Sequence, residues 1–220
     1  MKTVLLKLSM VLMIIGIACT SLQAQDKPGD KEVSEEMMAN MTEMLDLSDV
    51  QQGQMSELLK KYRGSMDWIL AKYEGEDEPD VGAMIGEIRT ERDAYRDELA
   101  GVLSSNQYEI YMSQINAVLT DMFRDLAEIR LWDVQPAIAL TDKQVEDLTP
   151  ILGKSMMETV QLLFENAGER LSLPKKVRIK NAMKKIEKEQ RDGIAKILTP
   201  SQLDAYDQYK EEQKAARKNK

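Results

Sequence analysis

The chain has 220 residues, of which 43% are apolar and 31% are charged, and its formal net charge is −8 at pH 7. This length can bury the core of one domain or of two small ones, and the composition excludes a disordered tail and a multi-span membrane protein. Histidine is absent and Cys19 is the only cysteine, which excludes most zinc sites, Cys/His nucleophile pairs and Ser-His-Asp triads.

The first 24 residues predict a secretory signal peptide. Lys2 and Lys7 provide a positive start, an apolar run follows over residues 8–19, and small residues lead to a cleavage site near Ala24. The apolar run is shorter than a membrane-spanning helix requires. The alternative is a lipid anchor through Cys19, because Ala18 and Cys19 fit the end of a lipobox.

The rest of the chain predicts an all-α fold of long helical hairpins. Apolar residues recur at steps of three and four, while glycine (11) and proline (6) are scarce. A joint is expected at residues 132–136, and Pro150 is expected to kink the fifth helix or shift its start. Seven helices are expected, of which the first three lie at about 31–45, from after Ser48 to about 73, and at about 81–102. The fourth begins after Ser104 and the fifth after Thr141. The sixth lies between a turn at 168–174 and Ile197, and the seventh begins at Pro200 and ends in a tail at 214–220.

A motif of the form L-[ST]-x-x-Q occurs four times. Its residues are Leu47, Ser48 and Gln51; Leu103, Ser104 and Gln107; Leu140, Thr141 and Gln144; and Leu198, Thr199 and Gln202. The hydroxyl residue is expected to cap a helix, with the glutamine bonding back to it as in a capping box and the leucine packing as a staple.

The spacing of these motifs predicts an internal duplication, because the third lies 93 residues after the first and the fourth lies 95 residues after the second. The predicted domains are the signal peptide at 1–24, an N-terminal helix at 25–46, helical unit 1 at 47–135 and helical unit 2 at 136–220.

The signal peptide, the helical pattern and the paired motifs together resemble the LTxxQ family of periplasmic proteins, whose members include Spy and CpxP. The resemblance implies a periplasmic, ATP-independent chaperone or envelope-stress adaptor that binds unfolded or partly folded envelope proteins. It also implies either a homodimer or, since one chain carries two units, an intrachain pseudo-dimer. The alternatives are a structural or regulatory envelope protein with one specific partner and, less favoured, a metal-responsive protein. The sequence departs from the family in having serine in its first two motifs and an acidic net charge.

Two helix faces are candidates for binding a client or partner. Met37, Met41 and Met44 share one face of the first helix; they are interpreted as core or as a flexible contact surface, with a copper(I) site as a less favoured alternative. A basic stripe on the sixth helix is interpreted either as a solvated face or as a site for an acidic client segment or an anionic membrane. The stripe consists of Lys176, Lys180, Lys184, Lys188 and Arg191.

The charge distribution and the residue types that are present exclude several further classes of function. Residues 170–220 carry a net charge of +8, and residues 25–169 carry −18. No nucleophile and base can be paired, so the sequence predicts no enzyme, no catalytic residue, no cofactor and no metal site. Nucleic-acid binding is not expected of a secreted, net-acidic chain.

Overall fold

The structure is a computed structural model, and it describes residues 35–74, 79–167 and 171–218. Within these residues there are seven helices and no strand, which confirms the predicted all-α class. They are α1 (Glu35–Leu45), α2 (Asp49–Glu74), α3 (Val81–Val102), α4 (Ser105–Ile138), α5 (Asp142–Phe164), α6 (Leu173–Ile194) and α7 (Pro200–Lys218). The predicted signal peptide, with Cys19, lies outside the described residues. No helix in the described ranges has the length and apolar character needed to cross a membrane.

Three prolines show where local signals misplace a boundary. The expected joint at 132–136 is wrong, because α4 continues through Pro136 to Ile138. Pro136 lies in the last turn, where the lost N–H costs one intrahelical bond. Pro150 lies inside α5 without shifting its start from Asp142. Pro174 belongs to the first turn of α6 and not to the preceding turn, because the first turn tolerates a residue without an N–H.

The helices group into two compact units. The N-unit comprises the described parts of Met1–Leu119 and Phe164–Arg170, and the C-unit comprises those of Thr120–Leu163 and Leu171–Lys220. The division falls inside α4, whereas the sequence motifs placed the start of the second unit at residue 136. The first half of α4 therefore belongs with α1, α2 and α3, and the second half belongs with α5, α6 and α7.

In the N-unit, α2 and α3 form an antiparallel hairpin. Lys61 pairs with Glu98 near one end, and the Lys72 ammonium lies 2.6 Å from Glu87 near the other. Three tyrosines fill the interior between α2, α3 and α4. The rings of Tyr62 and Tyr95 lie 4.6 Å apart between centroids, and the Tyr95 and Tyr111 hydroxyls are 2.7 Å apart. Paired aromatic rings of this kind contribute more than their buried area alone.

In the C-unit, one apolar cluster joins α4, α5 and α6, and Leu203 and Tyr206 of α7 pack against it. Gly153 of α5 lies so close to α4 that an added Cβ would be 3.1 Å from the backbone atoms of Phe123 and Arg124. The helix backbones therefore approach each other closely at this point, which favours a residue without a side chain. The cluster consists of Ala127, Leu131, Val134 and Ile138 from α4; Val145, Leu148 and Leu152 from α5; and Ile194 and Leu198 from α6 and its end.

Candidate functional site

All four L-[ST]-x-x-Q motifs form reciprocal capping boxes. In each motif the backbone N–H of the glutamine donates to the hydroxyl oxygen at 3.2–3.3 Å, and the glutamine Oε1 accepts from the backbone N–H of the hydroxyl residue at 2.9–3.1 Å. The four motif leucines are only 6–7% exposed. Each box thus satisfies two backbone groups that a helix start otherwise leaves unpaired.

The boxes also pair with each other inside each unit. In the N-unit, Gln51 Nε2 donates to Gln107 Oε1 at 2.9 Å and to the Val102 carbonyl at 3.0 Å. Gln107 Nε2 donates to the Leu45 carbonyl at 2.9 Å. One pair of amides therefore joins the starts of α2 and α4 to the ends of α1 and α3.

The C-unit repeats this arrangement with its own residues. Gln144 Nε2 donates to Gln202 Oε1 at 2.9 Å and to the Ile197 carbonyl at 3.2 Å. Gln202 Nε2 donates back to Gln144 Oε1 at 3.0 Å and to the Ala139 carbonyl at 3.0 Å. We call each arrangement a glutamine clasp: Ser48, Gln51, Ser104 and Gln107 in the N-unit, and Thr141, Gln144, Thr199 and Gln202 in the C-unit.

An unusual backbone conformation precedes both clasps. Asp46 has a φ of 50° and Ala139 has a φ of 49°, and each residue lies two positions before the first cap of its unit. This left-handed conformation commonly ends helices but favours glycine. Because neither residue is glycine, the sequence does not signal the conformation, and only the structure reveals that it occurs twice.

The clasps hold helix ends together and offer no reactive chemistry. Their amides and hydroxyls are neutral, and none lies beside a base that could activate it. In the part of the chain that the structure describes, no three acidic, cysteine or histidine side chains come together as metal ligands. The hydrogen bonds of the motif residues therefore have a structural role at the helix ends.

We expect the replacement of either C-unit cap, Thr141→Ala or Thr199→Ala, to lower the free energy of unfolding by about 1 kcal/mol, because one helix-start N–H loses its acceptor. Urea denaturation followed by circular dichroism measures the loss. Ser201→Ala is the control, since Ser201 is an exposed α7 residue outside the clasp. Losses no larger than that of the control would contradict the role of the hydroxyls.

The predicted methionine surface is largely buried. Met37 is 5% exposed and Met41 is 2% exposed, while Met44 is half-buried. The spacing of the three methionines is compatible with a core face and with a contact surface. In the structure, α1 packs so that Met37 and Met41 belong to the core. Met37 and Met41 are therefore not available for client contact in this structure.

The predicted basic stripe lies at the surface of α6. Lys176, Lys180, Lys184 and Lys188 are exposed, and none has a carboxylate partner among the described residues. Arg191 differs because its guanidinium lies 2.6 Å from Asp207. Four of the five predicted residues are thus free to meet a negatively charged partner.

Two exposed apolar residues extend this stripe. Leu173 is 78% exposed and Val177 is 56% exposed. Five residues are spaced three or four positions apart and therefore lie along one face of the helix. They are Leu173, Val177, Lys180, Lys184 and Lys188. We call this surface, with Lys176 at its edge, the cationic face of α6. The other side of the helix packs inward through half-buried Ile179, Met183 and Ile186 and buried Ile194.

Comparison with known proteins yields one match. Residues 21–111 match a family model described as a domain of unknown function (DUF4890). No curated protein and no solved structure matches the chain. The match covers less than half of the chain and ends at Tyr111, so it includes every residue of the N-unit clasp. Its description assigns no activity.

Sequence reasoning missed a buried arginine in the N-unit. Arg92 is 6% exposed, and its guanidinium lies 2.7 Å from both Glu165 and Asp93 and 4.7 Å from the centre of the Phe164 ring. Arg89 donates to the Glu165 backbone carbonyl at 2.7 Å. A lone arginine in a charged helix resembles a surface residue in sequence, because Glu165 lies 73 positions away from it.

Proposed function

We propose that the protein is a periplasmic, ATP-independent chaperone or envelope-stress adaptor that holds partly unfolded proteins on the cationic face of α6. The observation that carries this proposal is the presence of four unpaired lysines beside exposed Leu173 and Val177. Charge attracts a client over several ångströms, and apolar contact then retains it without tight or specific packing.

The sequence resemblance supports the same class of function. The four capping motifs are the residues that carry the likeness to the LTxxQ family, and in both units they form clasps. Helix ends tied in this way make a rigid scaffold for an exposed binding helix. With no nucleotide-binding motif in the chain, release of the client has to follow from weak binding.

A second candidate is a regulatory protein with one specific partner, which a groove in the N-unit favours. Trp68 is 64% exposed and borders an open groove of about 680 Å³ between α2 and α3. Gly64, Ala83 and Gly86 line the groove and leave it shallow. An exposed tryptophan beside such a groove is typical of a defined protein contact.

Light scattering of a denatured, unrelated client mixed with residues 25–220, without nucleotide, tests the proposal. We expect the wild type to slow aggregation at near-stoichiometric ratio. The joint replacement of Lys176, Lys180, Lys184 and Lys188 by glutamine should remove most of this protection, because it removes the charge that attracts the client. Circular dichroism checks that the helices remain folded.

The matched control removes four lysines that already have carboxylate partners. These are Lys60, Lys61, Lys143 and Lys154. The control changes the net charge by the same amount and should retain protection. Equal losses in the two variants would show a nonspecific effect of charge. Two results together would favour the second candidate. The wild type would fail to protect several clients at large excess, and a single partner captured by the wild type would be lost in Trp68→Ala.

A further inference from the structure

The C-unit has a cavity of about 430 Å³, partly open to solvent, between α4, α5, α6 and α7. This volume lies in the range of small-molecule sites. One part of its wall is apolar and is formed by Leu131, Val134, Leu152 and Met156. The cavity is separate from the cationic face of α6, because the α6 residue that lines it, Gln190, is on the half-buried side of the helix.

The other part of the wall is polar and positively charged. Arg130 and Lys210 line it without a carboxylate partner among the described residues, and Asp133 is the one carboxylate in the lining. The hydroxyls of Tyr206 and Tyr209 and the amide of Gln190 form no hydrogen bond to any described residue. Burial raises the pKa of Tyr206, which keeps its hydroxyl neutral and able to donate. Several donors that no described residue accepts from therefore line one space, with Asp133 as its one carboxylate.

The N-unit has larger side chains at two of the positions that correspond to this part of the C-unit. The motif spacings of 93 and 95 residues relate Tyr62 to Ser155, Tyr95 to Gln190, and Tyr111 to Tyr206. In the N-unit, the Tyr62 and Tyr95 rings pack together and the Tyr95 hydroxyl contacts that of Tyr111.

The C-unit keeps the last tyrosine of this set and replaces the first two by smaller polar residues. Protein interiors are close-packed, and an unfilled core position costs stability in proportion to its volume. The space beside Gln190, with unpaired donors in its lining, is therefore suited to a ligand.

We propose that this cavity binds a small amphipathic organic anion. Its acidic group lies between Arg130 and Lys210, where charge-assisted hydrogen bonds are available. Its apolar part covers Leu152 and Met156. An inorganic anion would leave this apolar wall uncovered, and an uncharged molecule would leave the two cations unpaired.

Two probes of stated chemistry test the proposal on residues 25–220: 8-anilinonaphthalene-1-sulfonate, followed by fluorescence and calorimetry, and decanoate as its competitor. We expect one saturable site for the sulfonate and competition by decanoate but not by decanol. Equal competition by decanol would overturn the assignment of an anion site, and so would the absence of saturable binding.

The sharpest variant is Gln190→Tyr, which imitates the pair formed by Tyr95 and Tyr111 in the N-unit. It should fill the cavity, keep or raise the thermal midpoint and weaken binding by about tenfold or more. Arg130→Gln should also weaken binding by about tenfold, because one charged hydrogen bond is lost. Lys196→Gln, at an exposed residue outside both the cavity and the cationic face of α6, should leave binding unchanged. A folded Gln190→Tyr variant that binds like the wild type would refute the site.

Discussion

Replacing Gln107 by leucine is expected to lower the free energy of unfolding by about 3 kcal/mol, because three hydrogen-bonded groups lose their partners. The side chain accepts from the Ser104 backbone N–H at 2.9 Å and from Gln51 Nε2 at 2.9 Å, and it donates to the Leu45 carbonyl at 2.9 Å. Leucine has a similar size but offers neither a donor nor an acceptor. Chemical denaturation followed by circular dichroism measures the change.

Gln52→Leu provides the control for this variant. Gln52 lies next to Gln51 in α2 but makes a single side-chain bond, to the Leu47 carbonyl at 3.2 Å, so its replacement should cost about 1 kcal/mol or less. A double variant at Gln51 and Gln107 should cost less than the sum of its two single changes, since both remove the same amide–amide bond. Strict additivity would show that the two boxes act independently.

Raising the pH from 10 to 12 is expected to destabilise the N-unit by up to about 2–3 kcal/mol through Tyr62 alone. The side chain is 3% exposed, and its hydroxyl has no hydrogen-bond partner among the described residues. Burial raises the pKa of Tyr62 from 10.0 to about 12, with smaller opposing effects from Arg92 and Arg96.

The direction of this effect depends on whether the folded or the unfolded chain loses the Tyr62 proton first. Below pH 10 the tyrosine is protonated in both states, and stability does not depend on it. Between pH 10 and about 12 the unfolded chain releases the proton while the folded chain retains it, so stability falls as the pH rises. Above the folded-state pKa both states are ionised and the loss is complete.

The Tyr62→Phe variant isolates this contribution from those of the other tyrosines. It should reduce the alkaline loss relative to the wild type. At neutral pH it should be as stable as the wild type or more stable by about 1 kcal/mol, because an unpaired buried hydroxyl is removed. Denaturation curves at a series of pH values measure both effects. The same alkaline dependence in wild type and variant would assign the loss to other groups.

The helices and their caps could be read from the sequence because they depend on residues three or four positions apart. The start of α7 at Pro200 and the boxes at Ser48 and Thr141 are local features of this kind. The all-α class followed from the same periodicity. Proline misled the boundaries because it loses a hydrogen bond to the carbonyl four residues earlier, and the local sequence does not show that α4 tolerates this loss at Pro136.

The features that depend on how the helices pack against each other could be learned only from the tertiary structure. The spacing of Met37 and Met41 was equally compatible with core and surface, and their burial followed only from the packing of α1. The glutamines of one clasp are 56 or 58 residues apart, so no local rule could pair them. The cavity beside Gln190 lies where the N-unit has the larger Tyr95 at the matching position. Such a difference in volume appears only when side chains from four helical segments occupy the same space.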